Sequence, residues 1–348
     1  DTETILHLIA RSPKSCTVDR VIDALYEING AYALVGIAND KLIGVRDPLG
    51  IRPLVLGKMN ESYIFASETC ALDIIGAKFV REVENGEVVV ISADGIKSFK
   101  PFPEKPERPC IFEYIYFARP DSIVGGKSIY ECRKGFGREL AKESNVEADM
   151  VIPIPDSGVP SAIGYAEQAG IPFELGITRN HYVGRTFIQP KQSIRSFGVR
   201  LKHNANRTLV AGKRIVLIDD SIVRGTTSVK IVQMMREAGA KEIHFRVSSP
   251  PITHSDFYGI DTPSKDQLLA STKSVDEMCE YLGADSLAFL SIEGIYQALG
   301  HEDGRDADCP QYTDHCFTGD YPTSLEDESG GELNSQLSFL SMAEPHEH

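Results

Sequence analysis

An apolar run, Val216-Leu217-Ile218, ends on two adjacent carboxylates, Asp219 and Asp220, and a short turn then leads into Gly225-Thr226-Thr227-Ser228. This order constrains the fold more than any other stretch of the chain. A continuous apolar run without polar alternation predicts a strand buried on both faces, which belongs in a parallel sheet covered by helices. The next segment, Thr226 to Ala238, places Val229, Val232 and Met235 at helical spacing, with Gly239 positioned to end the helix. Ligands of open parallel sheets bind beyond the carboxyl ends of the strands. Asp219 and Asp220 fall at that place, and the first turn of the following helix aims its free N–H groups and positive dipole end into the same crevice. Gly225 permits close backbone approach, and Thr226, Thr227 and Ser228 add hydroxyl donors. The segment therefore offers acceptors for sugar hydroxyls or a metal beside donors for a phosphate.

The neighbouring sequence repeats the same unit. Met150–Ile154 predicts a short buried strand, followed by Pro155-Asp156-Ser157-Gly158 and a helix through Ala169, and Arg214–Ile218 and Glu242–Val247 predict two more strands. Strand–helix alternation implies a parallel sheet with helices on its faces. Between these units lies a basic loop from Asn180 to Lys202 that carries Tyr182, Arg185, Thr186, Lys191, Arg195 and Arg200. Beside a phosphate site it is a candidate lid that neutralises negative charge and excludes water.

The first hundred residues read differently. Helical spacing is expected over Thr4–Ile9 and Val18–Tyr26. Short strands are expected at Tyr32–Ile37, Leu42–Val45, Tyr63–Ala66 and Val88–Ile91, with turns at Asn39-Asp40 and Asn85-Gly86. Pro101, Pro103, Pro106 and Pro109 mark a boundary. The organisation expected is 1–105, 106–300 and an acidic, loosely docked tail over 301–348, where twelve Asp and Glu face one basic residue, Arg305. With a net charge of −14 over 348 residues, the chain is not expected to bind nucleic acid or an anionic membrane broadly. No apolar run is long enough to span a bilayer. Seven Cys without scaffold spacing point to reduced thiols and a cytoplasmic setting.

The Asp219-Asp220 segment resembles the phosphoribosyl pyrophosphate (PRPP) motif of type I phosphoribosyltransferases. That resemblance implies that the two carboxylates hold the ribose hydroxyls, that Arg224–Ser228 bind the 5-phosphate, and that Ser221 also contacts PRPP. It also implies a pyrophosphate loop at Asp156, Ser157 and Gly158, with Mg2+ contacts at Ser157, Asp219 and Asp220. Phe112-Glu113-Tyr114-Ile115-Tyr116-Phe117-Ala118-Arg119-Pro120-Asp121-Ser122 and Tyr182-Val183-Gly184-Arg185-Thr186-Phe187-Ile188 are similar to segments of the glutamine PRPP amidotransferase family. The implied activity is formation of 5-phosphoribosylamine and pyrophosphate from PRPP and glutamine-derived ammonia, the first step of purine synthesis. Purine nucleotide inhibition and a homo-oligomer, a tetramer, are implied with it.

In the first hundred residues, Gly30-Ala31-Tyr32-Ala33-Leu34, Arg46-Asp47-Pro48-Leu49-Gly50-Ile51-Arg52-Pro53-Leu54 and Ala66-Ser67-Glu68 resemble the second half of an N-terminal-nucleophile glutaminase domain, with Asp1 as a glutamine contact. The fold class expected is thus α/β: a type I phosphoribosyltransferase parallel-sheet domain preceded by a truncated α+β glutaminase domain. The nucleophilic Cys is expected to precede Asp1, so ammonia rather than glutamine is the expected nitrogen source. Some family members carry a four-iron iron–sulfur cluster. Cys110 and Cys316 match two of its ligand positions, but Asp256 and Thr313 stand at the others, so no cluster is expected. Two other functions fit a PRPP grip: a salvage phosphoribosyltransferase with a base as nucleophile, and a PRPP-sensing DNA-binding regulator.

Overall fold

The computed structural model describes residues 2–180 and 203–325. Helices Thr2–Arg11 and Thr17–Tyr26 open the chain where helical spacing predicts them. The strands that follow are β1 (Ala33–Ala38), β2 (Lys41–Arg46), β3 (Val55–Met59), β4 (Ser62–Ala66), β5 (Lys78–Glu82), β6 (Val88–Ser92) and β7 (Gly95–Phe99). They form two antiparallel sheets, ordered β1-β2-β6-β7 and β4-β3-β5. The turn between β1 and β2 joins Ala38 to its partner Lys41, and Asn39 there takes a positive φ of 54°, which Asn tolerates better than most residues. Alternation did not reveal β3, because Gly57 interrupts it. That glycine is required: a Cβ there would lie 2.5 Å from the Leu72 side chain.

The segment 46–52 ties this region to the rest. Asp47 is fully buried and accepts N–H bonds from Leu49 at 3.0 Å and Ile51 at 3.2 Å. Burial raises its carboxyl above the usual range in spite of those bonds. The proline stretch returns along this segment, with Arg108 N–H on Leu49 O and Cys110 N–H on Ile51 O. Leu49 and Ile51 consequently belong to the same apolar core as Ile111, Phe136 and Val216.

Glu87, just before β6, is a buried ion-pair partner of Arg81 in β5. Burial opposes its charge, but Arg81 binds it bidentately at 2.6 and 2.7 Å and the Glu84 N–H donates at 2.8 Å. These bonds win, and its carboxyl sits below the usual range. The unfolded chain would take up this proton near pH ~4.3. The stabilisation is therefore complete above that pH and is lost as pH falls through the lower folded value. Glu87→Gln is expected to lower stability at pH 7 by about 1–2 kcal/mol, a figure discounted because Arg81 is partly exposed. It should also flatten the acid limb, as read from urea midpoints at pH 7 and pH 4.

A hairpin of β8 (Ile123–Val124) and β9 (Lys127–Ser128) precedes the second half. Its parallel sheet comprises β10 (Met150–Pro153), β13 (Arg214–Asp219), β14 (Glu242–Val247) and β15 (Ser286–Phe289), in that order. The small pair β11 (Ile177–Arg179) and β12 (His203–Ala205) is antiparallel. Side chains of β13 alternate between two cores. Val216 and Ile218 face helices Ile129–Ser144 and Val159–Ala169, while Ile215 and Leu217 face helices Thr226–Glu237 and Val275–Leu282. The first two helices touch backbone to backbone: a Cβ on Gly137 would lie 1.9 Å from Ser161 O, and one on Gly164 2.0 Å from Lys134 O.

The expectation of a loose tail from residue 301 fails for residues 301–325. Thr313, Asp314 and His315 are buried. Asp314 accepts from Tyr296 Oη at 2.8 Å and Arg305 Nε at 2.7 Å, and Thr313 bridges to Cys110. The acidic count misled because Asp314 and Asp320 are paired within the protein, with Arg305 and Arg108. Residues 326–348 lie outside the described residues. Among the described residues, no helix is long and apolar enough to cross a membrane.

Candidate active site

Strands β10 and β13 are adjacent and parallel, with Pro153 beside Ile218, so the loops that leave their carboxyl ends run side by side. Ile154 N–H donates to Ile218 O at 2.8 Å, and Gly158 N–H to Ile154 O at 3.1 Å. Gly158 permits this closeness, since a Cβ there would sit 2.4 Å from Ile218 O and 2.9 Å from Ile154 O. The loop 154–158 contains a cis peptide between Pro155 and Asp156. Asp156 is exposed and Ser157 half-buried.

Across from this loop, Asp219 and Asp220 are both buried. Asp220 N–H donates to Asp219 Oδ1 at 3.0 Å, and Ser221 Oγ to Asp220 Oδ2 at 2.6 Å. Burial and the adjoining Asp220 charge push the Asp219 carboxyl well above the usual range. Two buried carboxylates that have no basic ion-pair partner among the described residues form a site that favours a cation or hydroxyl donors. Gly225, at φ +72°, precedes helix Thr226–Glu237, whose first turn carries no acidic residue and no side-chain cap. Its N–H groups open toward the crevice. Thr226 is exposed, Thr227 half-buried and Ser228 buried, and Arg224 reaches Gln267 Oε1 at 3.2 Å.

Asp156, Ser157, Gly158, Asp219, Asp220, Ser221, Arg224, Gly225, Thr226, Thr227 and Ser228 therefore lie on two loops and one helix start at the same end of the sheet. Asp1 and the lid residues Tyr182, Arg185, Thr186 and Lys191 lie outside the described residues. The strands flanking that segment are paired, Arg179 to His203, and Arg179 forms an ion pair with Asp156. The ion pair brings a guanidinium to the 154–158 loop; sequence reading missed it because Arg179 stands alone in a short strand.

The implied metals can be tested on their donors. Two neighbouring carboxylates with a nearby hydroxyl suit Mg2+, which keeps several waters and takes substrate phosphates. The iron–sulfur positions do not suit a four-cysteine cluster. Burial raises the thiol of Cys110 to about 12 and that of Cys316 well above its usual value. Asp256 accepts from the N–H groups of Tyr258 and Ile260 and lies 3.0 Å from His315 Nε2. Thr313 donates to Arg108 O at 2.6 Å.

A second concavity, of about 870 Å³, lies between the two halves, with Tyr32, Arg52, Glu68, Glu113, Phe117 and Tyr258 in its wall. Here the quoted sequence segments meet. Glu68 Oε2 accepts from Arg119 N–H at 2.7 Å and Ser122 Oγ at 2.8 Å, and Arg52 Nη1 donates to Glu113 Oε1 at 2.9 Å. Glu113–Phe117 is a π-helix, closed by Ala118 N–H on Glu113 O.

Residues 1–73 match the glutamine amidotransferase domain family and residues 131–250 the phosphoribosyl transferase domain family. The architecture is thus that of a glutamine amidotransferase joined to a phosphoribosyltransferase. The chain is 61% identical over 98% of its length to an amidophosphoribosyltransferase of Rhizobium etli, covering 70% of that protein. It is 52% identical over 95% of its length to chloroplastic amidophosphoribosyltransferase 1 of Arabidopsis thaliana, covering 58% of it. A solved structure of glutamine PRPP amidotransferase from B. subtilis, complexed with ADP and GMP, superposes with a TM-score of 0.87 at 49% identity, over 94% of this chain and 72% of that one. The chain belongs to the amidophosphoribosyltransferase family, whose members are pentosyltransferases of purine biosynthesis.

Proposed function

We propose that the crevice between the 154–158 and 219–228 loops holds PRPP with Mg2+ and transfers ammonia to its C1. The supporting observation is the apposition itself: two buried carboxylates, an open helix start and a glycine-packed loop at the ends of two hydrogen-bonded parallel strands. Asp219 and Asp220 accept the ribose hydroxyls and fix the sugar. The helix start at Thr226–Ser228, with Arg224, binds the 5-phosphate. Ser157 and Gly158 lie along the pyrophosphate. Mg2+, when bound, neutralises the leaving pyrophosphate. Ammonia donates its lone pair to C1 as the C1–O bond breaks, the electron pair leaves with pyrophosphate, and the extra proton passes to solvent. A neutral nucleophile needs no strong base, so positioning and charge stabilisation carry the rate.

Glutamine is the family's ammonia source, and the concavity between the halves is the place where it would enter. Purine nucleotides share the ribose phosphate of PRPP and would compete for the same grip. A homotetramer is proposed with it, and a reducing cytoplasm would suit the seven unpaired cysteines.

Ammonium salt supplies the nucleophile directly and so reads the phosphoribosyl site by itself. With PRPP and Mg2+, the 348-residue chain is expected to release pyrophosphate upon addition of ammonium chloride. Hypoxanthine or orotate in its place should release none. Release only with a base would move the site to the salvage class.

A further inference from the structure

Arg133 is a basic residue in the second turn of helix Ile129–Ser144, yet only 3% exposed. Among the described residues its guanidinium hydrogen bonds go to no carboxylate. Nε donates to Tyr114 O at 2.9 Å and Nη2 to Ala118 O at 2.7 Å. These carbonyls belong to the second residue of the π-helix Glu113–Phe117 and to the residue that follows it. One side chain therefore clamps that short helix near both ends. The first residue of the same element is gripped from the first half, where Arg52 pairs with Glu113.

The backbone of Arg133 is fixed toward the site as well. Its carbonyl accepts from Ser161 Oγ at 3.0 Å, and Ser161 lies in the first turn of the helix that the 154–158 loop opens into. Gly137 and Gly164 bring these two helices to backbone contact, so this linkage is stiff. Burial disfavours the charged guanidinium, and the charges of Asp220, Glu68 and Glu113 act to retain it. A desolvated arginine is costly, and a packing role alone would be met by a neutral chain of similar length.

We infer that Arg133 is a positioning residue for phosphoribosyl transfer, holding the π-helix that lines the inter-half concavity in register with the pyrophosphate loop and with Asp220. It rests on the reading of Asp220 as a PRPP contact. The π-helix presents Glu113 and Phe117 to the concavity while its carbonyls are held from the PRPP side. π-turns of this kind recur at functional sites. Displacement of that turn would move both compartments together, which is the physical content of coupling between them.

The test uses the full chain with Mg–PRPP and ammonium, comparing Arg133→Lys, Arg133→Met and Asp220→Asn, together with Arg133→Lys combined with Asp220→Asn. Lys keeps the charge but cannot make the two-ended clamp, so its KM for PRPP is expected to rise roughly tenfold while its thermal midpoint stays near that of the parent. Met removes both clamp and charge and should raise KM further, with Lys recovering part of the loss. In the Asp220→Asn background the Lys effect should shrink to within about twofold, as non-additivity requires of residues acting together. If Met fails to fold, the Lys variant and its double mutant carry the test. A parent that uses PRPP and a Lys variant with unchanged KM would overturn the role of Arg133. Equal Lys effects in both backgrounds would overturn its action through Asp220. A parent that does not bind Mg–PRPP would instead overturn the proposed function.

Discussion

Asp219→Asn or Asp220→Asn is expected to cut ammonia-dependent turnover by roughly tens to a thousandfold, the range for loss of one charge partner at about 2–4 kcal/mol, and to leave the fold intact. The asymmetry follows from the geometry. Both side chains are buried at the end of a central strand, and no basic side chain forms an ion pair with either among the described residues. The Asp219 charge is therefore unfavourable until a cation and ribose hydroxyls arrive. Burial and mutual repulsion already raise the Asp219 carboxyl, so an amide relieves that penalty. The thermal midpoint of Asp219→Asn should hold or rise while activity falls. Asp220→Asn should additionally weaken the bond from Ser221 Oγ. Thermal melts beside initial rates at saturating PRPP decide the matter, and a near-normal rate in either variant would remove these residues from the site.

Gly158→Ala is expected to have an effect of comparable size by a different route. The added Cβ would meet Ile218 O at 2.4 Å and Ile154 O at 2.9 Å. Both obstacles are main chain and cannot rotate away, so the 154–158 loop must withdraw from β13. The bond from Ile154 N–H to Ile218 O, at 2.8 Å, would stretch with it. Overpacking of this type costs about 1–3 kcal/mol. The functional loss should be larger, since a shift of about 1 Å between reacting groups can cost on the order of a hundredfold. A kcat/KM for PRPP down at least that far, with a modest fall in thermal midpoint, is the expected result. A variant with PRPP kinetics within threefold of the parent would falsify the apposition of the two loops.

Legibility in the sequence followed the physics of each element. Met150–Pro153 and Arg214–Asp219 were readable because strands buried on both faces are almost wholly apolar, Glu242–Val247 because Ile243, Phe245 and Val247 alternate with polar residues, and helix Thr226–Glu237 because its apolar residues recur at helical spacing. The Asp219-Asp220 pair followed from that strand's end. Arg133 was not readable: within Ile129-Tyr130-Glu131-Cys132-Arg133-Lys134 it looks like one more solvated charge, and only the fold reveals the carbonyls it serves. Asp314 and Asp320 misled in the same way, since their partners Arg305 and Arg108 are distant or irregularly spaced in the chain. Helix Ile129–Ser144 was missed because its apolar stripe includes Gly137, whose value lies in another helix's backbone.

The buried placement of residues 313–316 bears on how this protein comes into being. Thr313 pairs with the strand-like segment at Cys110, and Cys316 O accepts the N–H groups of Thr253 and His254. Segments far apart in the order of synthesis would thus have to meet to close a single core. A ribosome that has released residue 300 has supplied every strand of the parallel sheet but not its final wedge. The nascent chain must then wait, at about 5–20 residues per second, with Ile111, Tyr114 and Tyr296 uncovered. That interval is when a chaperone would have most to gain from binding it.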